Sequence, residues 1–155
     1  MIQDGIRKYV DLYVPGRDEI AQTPEDWPSV LCKGSLNVGV RPDGNPPLFS
    51  ARGLPNQVSS LDEDCFPCCF KIEQHQFRNN RLSPTDAEPK RGAAQVWRAS
   101  LEADGQQIAC WVLRRYGSTL TTVLELLSEH HLRNTYGFIN GQLATVKLQS
   151  GASDV

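Results

Sequence analysis

Two alternating runs flank Asp104-Gly105, with Gln95-Val96-Trp97-Arg98-Ala99-Ser100-Leu101 before it and Gln107-Ile108-Ala109-Cys110-Trp111-Val112-Leu113 after it. Side chains that alternate in polarity with period two belong on strands, and a glycine at the turn permits the positive φ that a tight hairpin needs. The pattern predicts a β-hairpin, and any fold proposed for the chain has to be built around it. Trp97 and Trp111, one on each arm, are expected to pack in the core or across strands.

The flanking sequence adds further strands. Tyr9 to Val14 alternates and ends at Pro15-Gly16, which reads as a strand running into a turn. Pro24 and Pro28 interrupt Arg17 to Leu31 and leave room for at most two short helical turns. Ser35 to Val40 reads as a strand stopped by Arg41-Pro42-Asp43-Gly44-Asn45-Pro46-Pro47, and loop-like composition continues to Asp64. Cys69 to Phe77 is a further strand candidate, and the polar stretch Asn79 to Gly92 is expected to be a surface loop.

Leu120, Val123, Leu124 and Leu127 fit helical spacing, but β-branched Thr121, Thr122 and Val123 lose rotamer freedom in a helix. The segment is therefore read as a strand from Thr121 to Leu127. Ser128 follows as the N-cap of a short helix reaching Tyr136, with Gly137 as its left-handed stop. Asn140-Gly141 then turns the chain into a last strand, Leu143 to Leu148. The expected fold is mainly β, a small closed β-barrel with short helices. Residues 1–149 form one domain and residues 150–155 a flexible tail.

A length of 155 residues suits a single core. Sixteen basic against eighteen acidic residues give a net charge of -2, so no basic field draws nucleic acid or an anionic membrane. No apolar run approaches the roughly 18 residues of a spanning helix, and Met1 to Arg7 lacks secretory features, so a cytoplasmic protein is expected. The five cysteines, three of them in Cys65-Phe66-Pro67-Cys68-Cys69, are read as reduced thiols. Cys65, Cys68, Cys69 and His75, with Cys32, are the residue types that hold zinc. They lack a second close pair of ligands, so half-buried thiols are expected there in preference to a zinc site or a redox pair.

Two segments carry the functional reading: Gly34-Ser35-Leu36-Asn37-Val38, and Glu125-Leu126-Leu127-Ser128-Glu129-His130-His131-Leu132-Arg133, the second followed by a Gly141 turn and the run Ala144 to Leu148. Together they resemble the CTP-dependent riboflavin kinase family, which has an early Gly-Thr-Leu-Asn motif and a late Glu-hydrophobic-hydrophobic then Leu-Arg motif. The resemblance implies a β-barrel that cradles CTP and riboflavin with magnesium and moves a phosphoryl group to riboflavin, giving FMN. It implies metal contacts from Ser35 and Asn37, nucleotide contacts from Arg7, His130, His131, Leu132 and Arg133, and flavin contacts from Gly117 and Glu125. Serine in place of threonine keeps the oxygen that a hard cation takes. Besides Glu125 no general base stands out, and no residue is assigned as catalytic.

The family's nucleotide loop is rich in glycine, whereas Ile2-Gln3-Asp4-Gly5-Ile6-Arg7 offers one glycine and an aspartate that would repel phosphates. This departure opens a second reading, a noncatalytic barrel that binds a nucleotide, a flavin or a protein partner. Bland roles are open for the same residues as well. Ser35 and Asn37 can satisfy neighbouring backbone, His130 and His131 can be solvated, and Arg133 can sit at a helix C-terminus where the dipole favours it.

Overall fold

In the computed structural model the residues described are 2–3, 14–32, 35–39, 61, 66–77, 92–116 and 123–151. Among them are strands β1 (Ile2–Gln3), β2 (Leu36–Gly39), β3 (Phe70–Ile72), β4 (Ala94–Ala103), β5 (Gln106–Arg115), β6 (Val123–Leu127) and β7 (Thr145–Leu148), with one short helix, α1 (Leu132–Tyr136). The expected hairpin is β4–β5, paired along its whole length from Ala94↔Arg115 to Ala103↔Gln106. Asp104 and Gly105 hold φ of 51° and 74°, the left-handed pair that lets a two-residue turn follow the strand twist.

All pairings are antiparallel, in the order β1-β2-β6-β5-β4. β3 and β7 share the outer edge of β4, β3 beside Ala94 to Val96 and β7 beside Ala99 to Glu102. Alternation sends Trp97, Leu101, Ile108, Val112, Leu124, Leu126, Leu36 and Val38 to one face. There they pack with Ile2, Leu61, Leu132, Phe138 and Val146. Val96, Trp111, Leu113 and Leu127 point to the other face and are covered by Val14, Trp27 and Leu31. Trp27 is fully buried there, edge-on to Phe70 at 4.9 Å and to Trp111 at 5.0 Å, and its Nε1–H donates to the Pro15 carbonyl at 3.1 Å.

The cover, residues 14–32, is made of turns and bends. It folds back on itself tightly: the Arg17 N–H donates to the Pro28 carbonyl at 2.8 Å, and a Cβ on Gly16 would lie 2.1 Å from the Ser29 carbonyl oxygen. Only glycine allows that approach.

Several expectations need correction. The described strands form one open antiparallel sheet, so a closed barrel is not what the ladder describes. Ile2 at one edge is tied to the turn ahead of β7, its N–H donating to the Gln142 carbonyl at 3.0 Å and its carbonyl accepting the Gly141 N–H at 2.9 Å. The strand expected over Cys69 to Phe77 covers only Phe70–Ile72. A 3₁₀ turn, Gln74–Gln76, replaces the rest, closed by a capping box between Glu73 and Gln76. The N-cap of α1 is His131, not Ser128. Ser128 Oγ instead accepts the His130 N–H at 3.1 Å, which makes a turn where β6 ends. Gly137 does stop the helix, at φ 73°.

The last strand starts at Thr145, two residues later than expected. Beyond it the chain stays attached through residue 151, because Gln149 N–H donates to the Arg98 carbonyl and Gly151 N–H to the Pro67 carbonyl, both at 2.9 Å. Val14 does not belong to a strand, and the rest of the strand expected from Tyr9 lies outside the described residues, as do Arg7, Cys65, Gly117 and Thr121. Among the described residues no helix is long and apolar enough to cross a membrane.

Cys68 packs against the first-face core and Cys69, like Phe70 after it, against the second. Cys110 is buried in the first-face core, and desolvation pushes its thiol up to about 12. Labelling with an aromatic disulfide at pH 8 is expected to leave Cys110 unmodified until urea unfolds the chain. A native labelling count that falls by one in Cys110→Ala would contradict that burial.

Candidate functional site

The β2–β6 ladder sets Asn37 directly opposite Glu125. Leu36, Val38, Leu124 and Leu126 fill the first-face core, so Asn37 and Glu125 both point to the second face. Side chains facing each other in this way have Cβ atoms about 4.5–5.5 Å apart. Ser35 precedes β2, and its Oγ–H donates to Asn37 Oδ1 at 3.1 Å. The three residues form a cluster of oxygen-bearing side chains in which Asn37 is 7% and Glu125 8% exposed. On the far side of Glu125 its cross-strand partner is Leu113, buried and apolar. The cluster therefore borders an apolar wall.

The remainder of the late motif does other work. Leu132 is buried in the first-face core, across the sheet from Asn37 and Glu125. His131 caps α1, its Nδ1 accepting the Asn134 N–H at 3.2 Å. Arg133 donates to Asn140 Oδ1 at 2.8 Å, and its carbonyl accepts from Phe138 N–H at 3.1 Å, which ties the helix to the following turn. His130 is exposed with its Nε2 3.5 Å from Glu129. The fold thus unites Ser35, Asn37 and Glu125, two motifs distant in sequence, but it sends Leu132 to the opposite side. Arg7 and Gly117 lie outside the described residues.

The described part of the cysteine segment does not converge. Cys68 and Cys69 address opposite faces, His75 is exposed on the 3₁₀ turn, and Cys32 spends its backbone N–H on the Ser128 carbonyl. Among the described residues no group of three or more His, Cys, Asp or Glu side chains is arranged to hold a metal. Cys69 Sγ instead accepts from Arg98 at 2.7 Å.

Arg98 also grips both oxygens of Asp26, at 2.7 and 3.0 Å, and lies over the Trp111 ring at 5.5 Å. It fastens the cover segment to the sheet. The hydrogen bond from Arg98 is the main reason the Asp26 carboxyl is held below its ordinary 3.8. A depressed folded-state pKa adds stability above the unfolded value and loses it as pH falls through the folded one. At pH 7 Asp26→Asn is expected to be less stable by about 0.2–1 kcal/mol, discounted for the pair's exposure. The difference should vanish as pH is lowered below 3.8. Thermal melts across that range measure it, and a difference that persists undiminished in acid would contradict the assignment.

Sequence reasoning missed a groove of about 450 Å³ farther along the same face, walled by Asp26, Arg98, Trp111, Glu129 and Lys147. It contains none of the motif residues assigned to metal, flavin or nucleotide. No protein-family model, curated protein or solved structure matches the chain.

Proposed function

We propose that the chain is a riboflavin-kinase-like phosphotransferase that moves a phosphoryl group from CTP to riboflavin at the Ser35–Asn37–Glu125 cluster. The observation that carries this reading is the cross-strand pairing of Asn37 with Glu125, which joins the early and the late motif on one sheet face. The mainly β, antiparallel fold supports it too.

The donor set suits magnesium. Ser35 Oγ and Asn37 Oδ1 are oxygens of the kind magnesium takes, and they stand 3.1 Å apart, joined by the Ser35 hydrogen bond that an ion would replace. These two oxygens would hold the ion, which when bound supplies charge neutralisation on the nucleotide phosphates. Glu125 accepts a hydrogen bond from the polar edge of the acceptor and fixes its orientation, while Leu113 backs the apolar body. The resemblance assigns Arg133, His130 and Arg7 to the nucleotide. Rate enhancement then comes from positioning and from charge set in place before the reaction.

A specific observation favours a second reading, a noncatalytic binding module: His131 and Leu132 are consumed by the helix cap and the core. Calorimetric titration separates the two. A kinase binds riboflavin and, separately, CTP with magnesium, and both weaken in Asn37→Ala. A noncatalytic module binds riboflavin or the nucleotide but not both, and binding of neither would remove the kinase reading and leave a module for a protein partner.

A further inference from the structure

The groove noted above is a site of a different kind. β7 and β4 pair Lys147 with Ser100, and β4 and β5 pair Ser100 with Ala109, so these three lie in one row across the sheet. Val146 is in the first-face core, which turns Lys147 to the second face with Ser100 and Ala109. The neighbouring row holds Arg98 and Trp111, and there the cover segment stops, with Asp26 and Pro28 forming the end of the groove. Toward Trp111 and Leu113 large side chains and the cover close this face, whereas at Ser100 and Ala109 two small side chains leave the floor open, and Gln107 in the next row is exposed as well. Ala109 is exposed although it sits within a ten-residue strand.

The walls carry opposite charges. Lys147 stands on the β7 side, with one of an ammonium's three donors on Glu102 at 3.0 Å. Ser128 and Glu129, just past the end of β6, form the other side. At the closed end Arg98 and Asp26 cancel one another in their two-pronged pair. The line from β7 to β6 crosses three strand spacings, about 14 Å between backbones. An extended tripeptide, its termini roughly 7–10 Å apart, fits within that span and leaves room for a side chain at either end.

We propose that this groove binds the free termini of a short zwitterionic peptide, its carboxylate on Lys147 and its ammonium on Glu129, with the peptide backbone lying over Ser100 and Ala109. The small floor admits main chain, and the open top leaves ligand side chains in solvent, so recognition rests on the two charges and tolerates peptide sequence. The volume of about 450 Å³ falls within the range of ligand sites. The inference does not rest on the phosphotransferase reading, since it uses none of Ser35, Asn37 or Glu125, although Glu129 lies 3.5 Å from His130.

The test is a ¹⁵N NMR titration with triglycine, N-acetyl-triglycine and triglycine amide. Triglycine is expected to shift the amides of Ser100, Ala109 and Lys147 and the Trp111 indole, and blocking either terminus should weaken binding about two- to fivefold, as expected for charge pairs at an exposed rim. Lys147→Ala should erase the difference between triglycine and its amide while keeping the penalty for acetylation, and Glu129→Gln should do the converse. Asn37→Ala should change none of this. No shift at these positions with millimolar triglycine, or equal binding of all three peptides, would overturn the proposal.

Discussion

Replacing Trp27 with alanine is expected to cost about 3–5 kcal/mol of folding stability, the range for deleting a large buried aromatic and leaving a cavity. Trp27 is the only tryptophan on the cover segment, and it is fully buried between Phe70 of β3 and Trp111 of β5. Its loss removes two edge-to-face contacts, the Nε1 bond to Pro15, and the main apolar anchor that holds residues 14–32 on the sheet. Trp27→Phe should recover part of the loss, since it restores a ring without the indole donor. Urea denaturation followed by circular dichroism reads both variants. A shift of less than 1 kcal/mol in Trp27→Ala would mean that the cover segment contributes little to the fold.

The second large effect concerns the cluster. Asn37→Ala and Glu125→Gln are each expected to lower FMN formation on the order of a hundredfold, the scale of loss when a positioning group is removed from phosphoryl transfer. The two should separate in character. Asn37→Ala takes away one of the two neighbouring oxygens proposed for magnesium, so raising magnesium should restore part of the rate. Glu125→Gln retains shape and removes charge, so it should act mainly on riboflavin and be insensitive to magnesium. Stability should change little beside these losses, about 1 kcal/mol for the bond between Ser35 and Asn37. If either variant keeps the wild-type rate, its residue has no part in transfer.

The hairpin was legible from sequence because its information is local: alternation defines each arm, and Asp104-Gly105 defines the turn. The Gly137 stop was legible for the same reason. Ser128 was misread because a serine hydroxyl serves a turn as well as a helix N-terminus. What decides between them is Leu132, which has to reach the first-face core and so delays the helix by several residues. Sequence placed Cys68 and Cys69 side by side as half-buried thiols but could not say that they pack into different cores.

At the site, residue types were legible and geometry was not. Nothing local to Asn37 or Glu125 says that they face each other; that follows from the β2–β6 register. The groove was invisible for the same reason. Ser100, Ala109 and Lys147 are unremarked residues until two separate ladders align them in one row. Closure of the sheet was also beyond sequence patterning, since alternation is identical in open and closed sheets.

The proposed function is tested most directly by incubating the purified chain with riboflavin, CTP and magnesium and separating the flavins by chromatography, with ATP in place of CTP in parallel. Time-dependent FMN that exceeds the protein in molar amount, and that disappears in folded Asn37→Ala, is the expected result. No FMN with either nucleotide after prolonged incubation, from protein whose circular dichroism shows it folded, would contradict it.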